Sequence, residues 1–397
     1  GRKKKRRKGV EKESGALYLF CAYQKTYKRH PLSMKNKKKD QKSQHQNSFL
    51  VLRDLKQSGK ERPWKKHKKM LRLLSCAYYE LSDLTRYGDL LKGCGGELCF
   101  EACEIVEHGK KLKRANFCKI RTCPMCQWRK SLVVRSQTLD LVKAHFKEHP
   151  TDVPVMLTLT VPNVSGENLN RKIDEMGKGF KRFIKRKVVK NVARSWFKSL
   201  EVPRSQERKD WHPHFHTFLM VPDEYFKRSS GLYLERDELL RLWQESMRDV
   251  SITQVDIRVM TSKGEGRLES IVAEVAKYAT KPSSLVEKDK YGRDYIDPKV
   301  LSELHYGLKG RRLIGYGGLF KKIRAERKML DVEEANLEDL VESVSGEDVY
   351  EEGSSKVKAC PCKICGGPLV EEVYRWNENI GEYFKIVSSL KNCVDPP

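Results

Sequence analysis

Apolar and polar residues between positions 154 and 281 follow two different periods. Four stretches are rich in β-branched and apolar residues or alternate apolar with polar positions, which indicates strands. Three others carry apolar residues at intervals of three and four, which indicates helices. The predicted order is strand 154–161, helix 168–189, strand 197–203, strand 211–221, helix 235–248, strand 252–260 and helix 268–281. Short connections favour an α+β fold, in which helices pack on an antiparallel sheet.

Three histidines alternate along the start of the strand 211–221. Because successive side chains of a strand point to opposite faces, His212, His214 and His216 share one face. Residues two apart lie roughly 6.5 Å apart along the backbone, so an ion about 2 Å from each ring nitrogen can join two neighbouring histidines but not all three. We predict a metal site on His214 and His216, with His212 and His214 as the alternative pair.

A third ligand for this ion has to come from another segment. Glu201 lies in the short predicted strand 197–203 and is the natural candidate. Glu207 and Asp210 are the alternatives. A metal ion held in this way can polarise a phosphate as a Lewis acid, so these residue types point to phosphodiester chemistry.

The predicted helix 268–281 has two faces of different chemistry. Apolar residues fall on one face, whereas Glu274, Lys277, Tyr278 and Lys281 follow the i, i+3, i+4, i+7 spacing of another. The pKa of an unperturbed tyrosine is ~10, and a neighbouring cation, Lys281 or Lys277, would favour the nucleophilic phenolate. A carboxylate one turn before the tyrosine is placed to activate a water or a sugar hydroxyl.

The chain has twelve cysteines, and several of them cluster. Cys118, Cys123 and Cys126 form a C-x4-C-x2-C pattern, which in a reducing compartment favours a structural zinc over disulfides. The upstream candidates for the fourth ligand are Cys94, Cys99, Cys103 and His108. We choose Cys94, because the glycines beside it permit a tight turn.

A second group, Cys360, Cys362 and Cys365, resembles one half of a zinc ribbon. The sequence has no matching second half, since only Cys393 follows downstream. These four cysteines are the candidate ligands of an irregular second zinc site.

Basic residues outnumber acidic ones by 80 to 53, which gives a net charge of +27. Residues 1–72 hold 25 basic and 5 acidic side chains, so most of the excess lies near the start of the chain. This distribution favours phosphate contact with salt-dependent affinity. The sequence contains neither a long apolar run nor the apolar stretch of a signal peptide. We therefore expect no membrane association and a cytoplasmic location.

Three motifs follow one another along the chain: residues 157–160 (LTLT), 214–216 (HFH) and 274–278 (EVAKY). In these motifs the sequence resembles the rolling-circle replication initiators of small bacterial plasmids, which are HUH (His-hydrophobic-His) endonucleases of the single-tyrosine type. The resemblance extends to segments at residues 58–64, 116–126 and 312–320, and it covers roughly residues 49 to 330.

The resemblance implies a mechanism and the residues that carry it. Tyr278 would be the nucleophile, forming a 5′-phosphotyrosyl link and leaving a 3′-hydroxyl that a host polymerase extends. Glu274 would activate the water that releases the strand, and Lys281 would assist the tyrosine. The ligands of a divalent ion, Mn²⁺ or Mg²⁺, would be His214, His216 and Glu201.

The resemblance also implies the HUH nuclease fold, with the histidine strand central. The Cys-rich region that the cysteine spacing predicts to bind zinc comes before it. The expected regions are a basic, disordered extension (1–47), a helical and Cys-rich region (48–150), a nicking and joining domain (151–330), an acidic linker (331–358) and a small Cys-containing module (359–397). Expected partners are plasmid origin DNA, single-stranded or in a hairpin, with a host helicase and DNA polymerase. A loop or β-hairpin at residues 291–295, with Arg311 and Arg312 beyond it, is a candidate DNA contact.

Two other functions fit some of the same residues. A zinc-stabilised, nonenzymatic nucleic-acid-binding protein would use the basic segment for affinity, with the histidines and Tyr278 as structural residues. An HUH relaxase or transposase would share the motifs. The single motif tyrosine beside Glu274 and the flanking segments favour a replication initiator.

Overall fold

A computed structural model describes residues 51–56, 58–105, 110–260, 272, 282–338, 340–342, 348–350, 362 and 364–390. The helices are α1 (Trp64–Tyr79), α2 (Thr85–Gly93), α3 (Pro124–Glu148), α4 (Gly166–Phe183), α5 (Lys187–Val192), α6 (Arg236–Met247), α7 (Pro298–Leu308) and α8 (Leu319–Glu326). The strands are β1 (Glu97–Cys103), β2 (Lys110–Ala115), β3 (Val153–Thr160), β4 (Ser195–Glu201), β5 (His214–Val221), β6 (Val255–Val259), β7 (Val286–Lys288), β8 (Asp294–Ile296), β9 (Ile314–Gly318), β10 (Leu340–Glu342), β11 (Asp348–Tyr350), β12 (Leu369–Asn377) and β13 (Glu382–Leu390). Within these ranges, no helix combines the length and apolar character that crossing a lipid bilayer requires.

Five strands form the main antiparallel sheet, in the spatial order β6-β3-β5-β4-β9. The histidine strand β5 is therefore at the centre, where it was predicted. Helices cover both faces of the sheet. Phe180 of α4 packs against Phe215 on one face, and Phe320 of α8 stacks on Phe218 on the other. The predicted α+β class, with helices packed on an antiparallel sheet, is confirmed.

The four predicted strands of this sheet are present, and their ends differ from the prediction by up to three residues. The predicted helix 168–189 is instead two helices, α4 and α5. Between them, Lys185 and Arg186 donate to carbonyls three residues back, which tightens the last turn. Arg186 then adopts an extended conformation, and its guanidinium pairs with Glu245 of α6 at 2.8 Å. Tertiary bonding therefore interrupts a continuous helical pattern.

The fifth strand, β9, was not predicted as a strand. Three of its five residues are glycines, which have low strand propensity. The structure shows why one of them is needed, because a Cβ atom on Gly317 would lie 2.1 Å from the indole ring of Trp196 on the neighbouring strand. Close packing of the Trp196 ring thus requires a glycine at position 317, and glycine weakens the sequence signal for a strand.

The second sheet joins distant parts of the chain, in the order β13-β12-β1-β2. Strand β12 runs antiparallel to β1, with Cys103 opposite Leu369, and Tyr374 packs edge-on against Phe100. Residues 359–397 were expected to form a separate module. Their described strands instead share a sheet with the Cys-rich region. Local sequence patterns do not specify strand pairing over such a separation.

The described part of the acidic stretch 331–358 also differs from the solvated linker that was expected. Residues 331–338 pack against α3, where Glu333 pairs with Lys130. The Leu337 carbonyl accepts a hydrogen bond from Arg129 at 2.8 Å, and the Leu337 side chain is buried. Glu333 thus neutralises Lys130, a basic residue of a largely buried helix. The basic extension 1–47 lies outside the described residues.

Candidate functional site

Glu201, His214 and His216 meet at one end of the two central strands. Glu201 is the last residue of β4 and His214 is the first of β5, and the antiparallel register places these two residues opposite each other. The Nε2 atoms of His214 and His216 are 3.1 Å apart. Oε2 of Glu201 lies 2.9 Å from Nε2 of His216 and 3.3 Å from Nε2 of His214. The structure thus brings together the three residues expected to bind a divalent ion. We name them the Glu-His-His group.

The spacing of the Glu-His-His group fits a shared metal ion. An ion about 2.0–2.1 Å from two imidazole nitrogens, with ordinary tetrahedral or octahedral angles, holds those nitrogens about 2.8–3.4 Å apart. The separation of 3.1 Å lies within that interval. The side chains of Glu201, His214 and His216 are 12%, 12% and 24% exposed, so solvent reaches the group. The residues present can therefore hold one ion with open positions for a further ligand.

Neighbouring groups orient both imidazole rings. The carbonyl of His212 can only accept, so Nδ1 of His214 donates to it at 3.0 Å, which turns Nε2 towards Glu201 and His216. Thr158 of β3 lies opposite His216 of β5, with its hydroxyl 3.5 Å from Nδ1 of the histidine. Burial alone would raise the pKa of Glu201. Hydrogen bonds with the two histidines outweigh that effect and hold its pKa well below the usual range, so the carboxylate is ionised.

The alternative ligands do not join the Glu-His-His group in the described part of the chain. Nδ1 of His212 lies 2.7 Å from the amide oxygen of Asn163, whose nitrogen donates to Asp210 at 2.8 Å. Glu207 is exposed. The geometry therefore favours Glu201 over Glu207 and Asp210, and the pair His214 and His216 over the pair with His212.

Four cysteines, Cys94, Cys118, Cys123 and Cys126, form a second group of ligand atoms, which we name the Cys94 cluster. Cys94 lies 3.6 Å from both Cys123 and Cys126, and Cys118 lies 3.7 Å from Cys126, measured between sulfurs. A tetrahedral zinc with Zn–S bonds of about 2.3 Å separates its sulfurs by about 3.8 Å. The cluster therefore fits a zinc ion.

Backbone donors and one buried cation favour thiolates in the Cys94 cluster. The amide of Lys119 donates to the sulfur of Cys126 at 3.2 Å, and the amide of Cys126 donates to the sulfur of Cys123 at 3.4 Å. Lys68 is buried, and its ammonium donates to the carbonyl of Cys94 at 2.8 Å. Donors and positive charge stabilise the deprotonated sulfurs that bind zinc.

The other candidate cysteines are placed differently. The sulfur of Cys99 accepts a hydrogen bond from Arg114 at 3.7 Å. Cys103 lies 3.5 Å from Cys365 and belongs to a group with Cys362, a partnership that no local spacing in the sequence indicated. The remaining candidates, His108, Cys360 and Cys393, lie outside the described residues.

The residues expected to carry the nucleophilic step, Tyr278, Glu274, Lys277 and Lys281, also lie outside the described residues. Within the predicted helix 268–281, the structure describes Val272, which is helical and buried. The roles of the four polar residues stay predictions.

Strands β7 and β8 form a hairpin at the place where the sequence left a loop or a hairpin open. Tyr291 near its tip is 67% exposed. The Lys290 ammonium and the Arg293 guanidinium each lie 5.0 Å from the centroid of the Tyr291 ring. Glu287 of β7 pairs at 2.8 Å with Arg204, which lies in the connection leading to β5. An exposed ring with two cations close to it can stack on a base and attract phosphates.

The chain matches a known family and several of its members. The family model described as "Replication protein" (Rep_1) matches residues 109–362. "Protein rep" of Streptococcus pneumoniae serotype 2 is 34% identical over 292 residues, which cover 74% of this chain and 88% of that protein. "Protein rep" of Bacillus amyloliquefaciens is 32% identical over 334 residues, covering 79% and 95%. "Protein rep" of Lentilactobacillus hilgardii is 33% identical over 290 residues, covering 72% and 89%.

No solved structure is significantly similar to the chain. The extent of the family match and the identity to these relatives nevertheless show the family. The chain belongs to the Rep family of plasmid replication initiators.

Proposed function

We propose that this protein nicks and rejoins one DNA strand at a plasmid origin during rolling-circle replication, as a single-tyrosine HUH endonuclease. The observation that carries the proposal is the Glu-His-His group, in which two oriented imidazoles and an ionised carboxylate converge. Bound there, a divalent ion such as Mn²⁺ or Mg²⁺ would supply Lewis-acid polarisation of the scissile phosphate. Membership of a family of replication proteins supports DNA as the substrate.

The nucleophilic step is assigned to Tyr278. Its phenolate attacks the scissile phosphorus in line, the bond to the 3′-oxygen breaks, and the 5′-phosphate becomes esterified to the tyrosine. The phenol proton passes to solvent, and the charge of Lys281 favours its loss. The departing 3′-oxygen takes a proton from solvent, so that a free 3′-hydroxyl remains as a primer for a host polymerase.

Strand release is assigned to Glu274. Its carboxylate accepts the proton of a water or a 3′-hydroxyl as that oxygen attacks the phosphotyrosyl ester, and the phenolate of Tyr278 leaves. Because the base lies one helical turn before the nucleophile in sequence, one predicted helix supplies both groups. A second tyrosine is not needed.

Origin DNA is proposed to contact the β7–β8 hairpin. Tyr291 offers a stacking surface, and Lys290 and Arg293 flank it with positive charge. Stacking on exposed aromatic rings suits single-stranded DNA, in which bases are accessible. Host helicase and polymerase, acting in the bacterial cytoplasm, complete the proposed reaction cycle.

The Cys94 cluster is proposed to hold a structural zinc. Cys123 caps the N-terminus of α3, and Cys94 follows α2, so the ion would fix these two helices to each other. A closed set of four thiolates is the usual form of a structural site. This ion would serve the fold rather than the reaction.

Covalent capture on DNA tests the proposed reaction. Wild-type and Tyr278→Phe proteins are incubated with a labelled library of short single-stranded and hairpin targets, in Mn²⁺, Mg²⁺ or chelator, and resolved on a denaturing gel. We expect an adduct only with the wild type and metal, while Tyr278→Phe still binds DNA. Glu201→Gln should lose the adduct and the matched variant Glu207→Gln should keep it. Absence of any adduct, with DNA binding retained, would instead support the nonenzymatic nucleic-acid-binding protein.

A further inference from the structure

Three cysteines lie close together in the second sheet, where the end of β1 meets the segment that precedes β12. Cys103 is the last residue of β1, whereas Cys362 and Cys365 come shortly before β12. The pairing of Cys103 with Leu369, and a hydrogen bond from the Glu104 amide to the Pro368 carbonyl at 3.1 Å, bring these segments together. The three sulfurs lie within 4.8 Å of one another, and those of Cys103 and Cys365 are 3.5 Å apart.

The backbone around Cys365 forms a tight turn that points a donor at its sulfur. The amide of Gly366 donates to the Cys362 carbonyl, and the amide of Cys362 donates to the Gly367 carbonyl, both at 2.8 Å. Gly366 has a φ of 70°, which favours glycine. The amide of Gly367 donates to the sulfur of Cys365 at 3.4 Å. A Cβ atom on Gly367 would lie 3.2 Å from that sulfur, which is closer than Cβ atoms usually approach, so a glycine there leaves room for Cys365.

The Cys94 cluster shows the same local features. It also contains a C-x2-C pair, and a residue with positive φ, Lys119, whose amide donates to a cluster sulfur at 3.2 Å. Its sulfur separations of 3.6 to 3.7 Å are close to the 3.5 Å between Cys103 and Cys365. The two groups therefore share the arrangement that prepares thiolates for a metal ion.

We propose that Cys103, Cys362 and Cys365 bind a second Zn²⁺ ion as thiolates. Three soft sulfur ligands select zinc over the hard cations that suit the Glu-His-His group. Binding releases the thiol protons to solvent and involves no redox step. A disulfide would require a sulfur separation of about 2.05 Å and would leave the third cysteine without a role. Cys360 and His108 lie outside the described residues, and the proposal rests on the three described sulfurs.

This ion would join parts of the chain that are far apart in sequence. Cys103 and Cys365 are separated by 262 positions, and both adjoin the edge at which β1 and β12 begin to pair. A ligand set that exists only when these segments meet stabilises the folded state over the unfolded one. The second zinc would therefore hold the C-terminal strands on the Cys-rich region. It goes beyond the proposed nicking activity, because none of its ligands belongs to the Glu-His-His group.

Zinc content and cobalt spectroscopy of the full chain test the proposal. Zinc per chain is measured by plasma mass spectrometry for the wild type, Cys103→Ser and Cys365→Ser, with Cys99→Ser as a control on the same strand. We expect each test variant to hold one zinc fewer than the wild type and Cys99→Ser to hold the same amount. In cobalt-loaded protein, the thiolate charge-transfer absorption should fall in both test variants. A Glu-His-His ion cannot produce that band, since it has no sulfur ligand.

Several outcomes would overturn the second zinc. Equal zinc content and equal thiolate absorption in the wild type and Cys365→Ser would do so, as would a Cys103–Cys365 disulfide found by mass spectrometry in zinc-loaded wild type. Should Cys103→Ser fail to fold, Cys365→Ser decides the matter, because Cys365 is exposed. Covalent DNA capture is scored separately, so failure of the zinc proposal leaves the proposed reaction standing.

Discussion

Arg204 and Glu287 form an ion pair, with 2.8 Å between Nη1 and Oε1 and side chains only 5% and 13% exposed. The pair ties the connection before the histidine strand to the hairpin that carries Tyr291. Tyr295 also donates to the Glu287 carboxylate, at 3.0 Å. Hydrogen bonds that involve charged groups are among the stronger ones. We therefore expect the hairpin and the Glu-His-His group to move as one unit.

Arg204→Met should weaken this connection. It leaves the Glu287 carboxylate with fewer partners in a largely buried position, and we expect a loss of about 1.5–3 kcal/mol in the free energy of unfolding. Urea denaturation measures the loss. Arg208→Met is the control, since Arg208 is 68% exposed and pairs with Asp210 at the surface. The expectation is contradicted if both variants unfold at the same urea concentration.

Thr158→Val should weaken metal binding at the Glu-His-His group. The hydroxyl of Thr158 is the group that faces Nδ1 of His216, and loss of such an orienting contact typically lowers metal affinity by about 10-fold or more. Calorimetric titration with Mn²⁺ measures the change. Thr160→Val on the same strand is the control, because its hydroxyl donates to the Gln254 carbonyl instead. Equal affinities in the two variants would show that Thr158 does not orient His216.

Tyr291→Ala should weaken binding of single-stranded DNA by about 1–3 kcal/mol, which is the typical contribution of one base stacked on an aromatic side chain. Tyr291→Phe keeps the ring and should bind with nearly wild-type affinity. Fluorescence anisotropy with a labelled oligonucleotide at fixed salt distinguishes the two. If alanine and phenylalanine variants bind equally well, the hairpin does not stack on a base.

The burial of Lys198 should make the free energy of unfolding depend on pH. Its ammonium lies 4.0 Å from the ring centroid of Phe215, and burial, with the nearby charge of Lys181, lowers the pKa of Lys198 to about 8. In the unfolded chain the lysine pKa is ~10.4, so the unfolded state binds more protons between these values and the free energy of unfolding rises with pH there. Below about pH 8 Lys198 is charged in both the folded and the unfolded state, so the full free-energy cost of burying its charge lowers the stability.

Lys198→Met should remove this penalty. We expect it to be about 1–3 kcal/mol more stable than the wild type at pH 7, with the gap narrowing as the pH approaches about 10. Urea denaturation at several pH values measures both effects. A constant difference between the two proteins across this interval would mean that Lys198 keeps its ordinary pKa in the folded state.

Lys68→Met should lower the zinc affinity of the Cys94 cluster by about 10-fold, because it removes a buried cation that bonds the Cys94 carbonyl. Competition with a chromogenic chelator measures the affinity. Lys69→Met removes a charge of the same kind from an exposed position and should leave the affinity unchanged. Similar zinc release from both variants would exclude a role for the Lys68 charge.

The sequence was most informative where geometry is local. Period-two alternation placed His214 and His216 on one face, and Glu201 was the candidate third ligand as the carboxylate of the short predicted strand 197–203. Flanking glycines favoured Cys94 as a zinc ligand. By contrast, Cys103 was not assigned to Cys362 and Cys365, because the contact depends on the pairing of β1 with β12. Strand β9 was missed because its glycines carry little strand signal, although Gly317 makes room for Trp196.

Strand β1 cannot find its partner β12 during most of translation. The ribosome makes residues 97–103 early, whereas β12 spans residues 369–377. A chain whose synthesis stops before that point presents β1 with one open edge, and open strand edges promote aggregation. Completing the chain therefore covers this edge of β1 with β12 and protects it from pairing with another molecule.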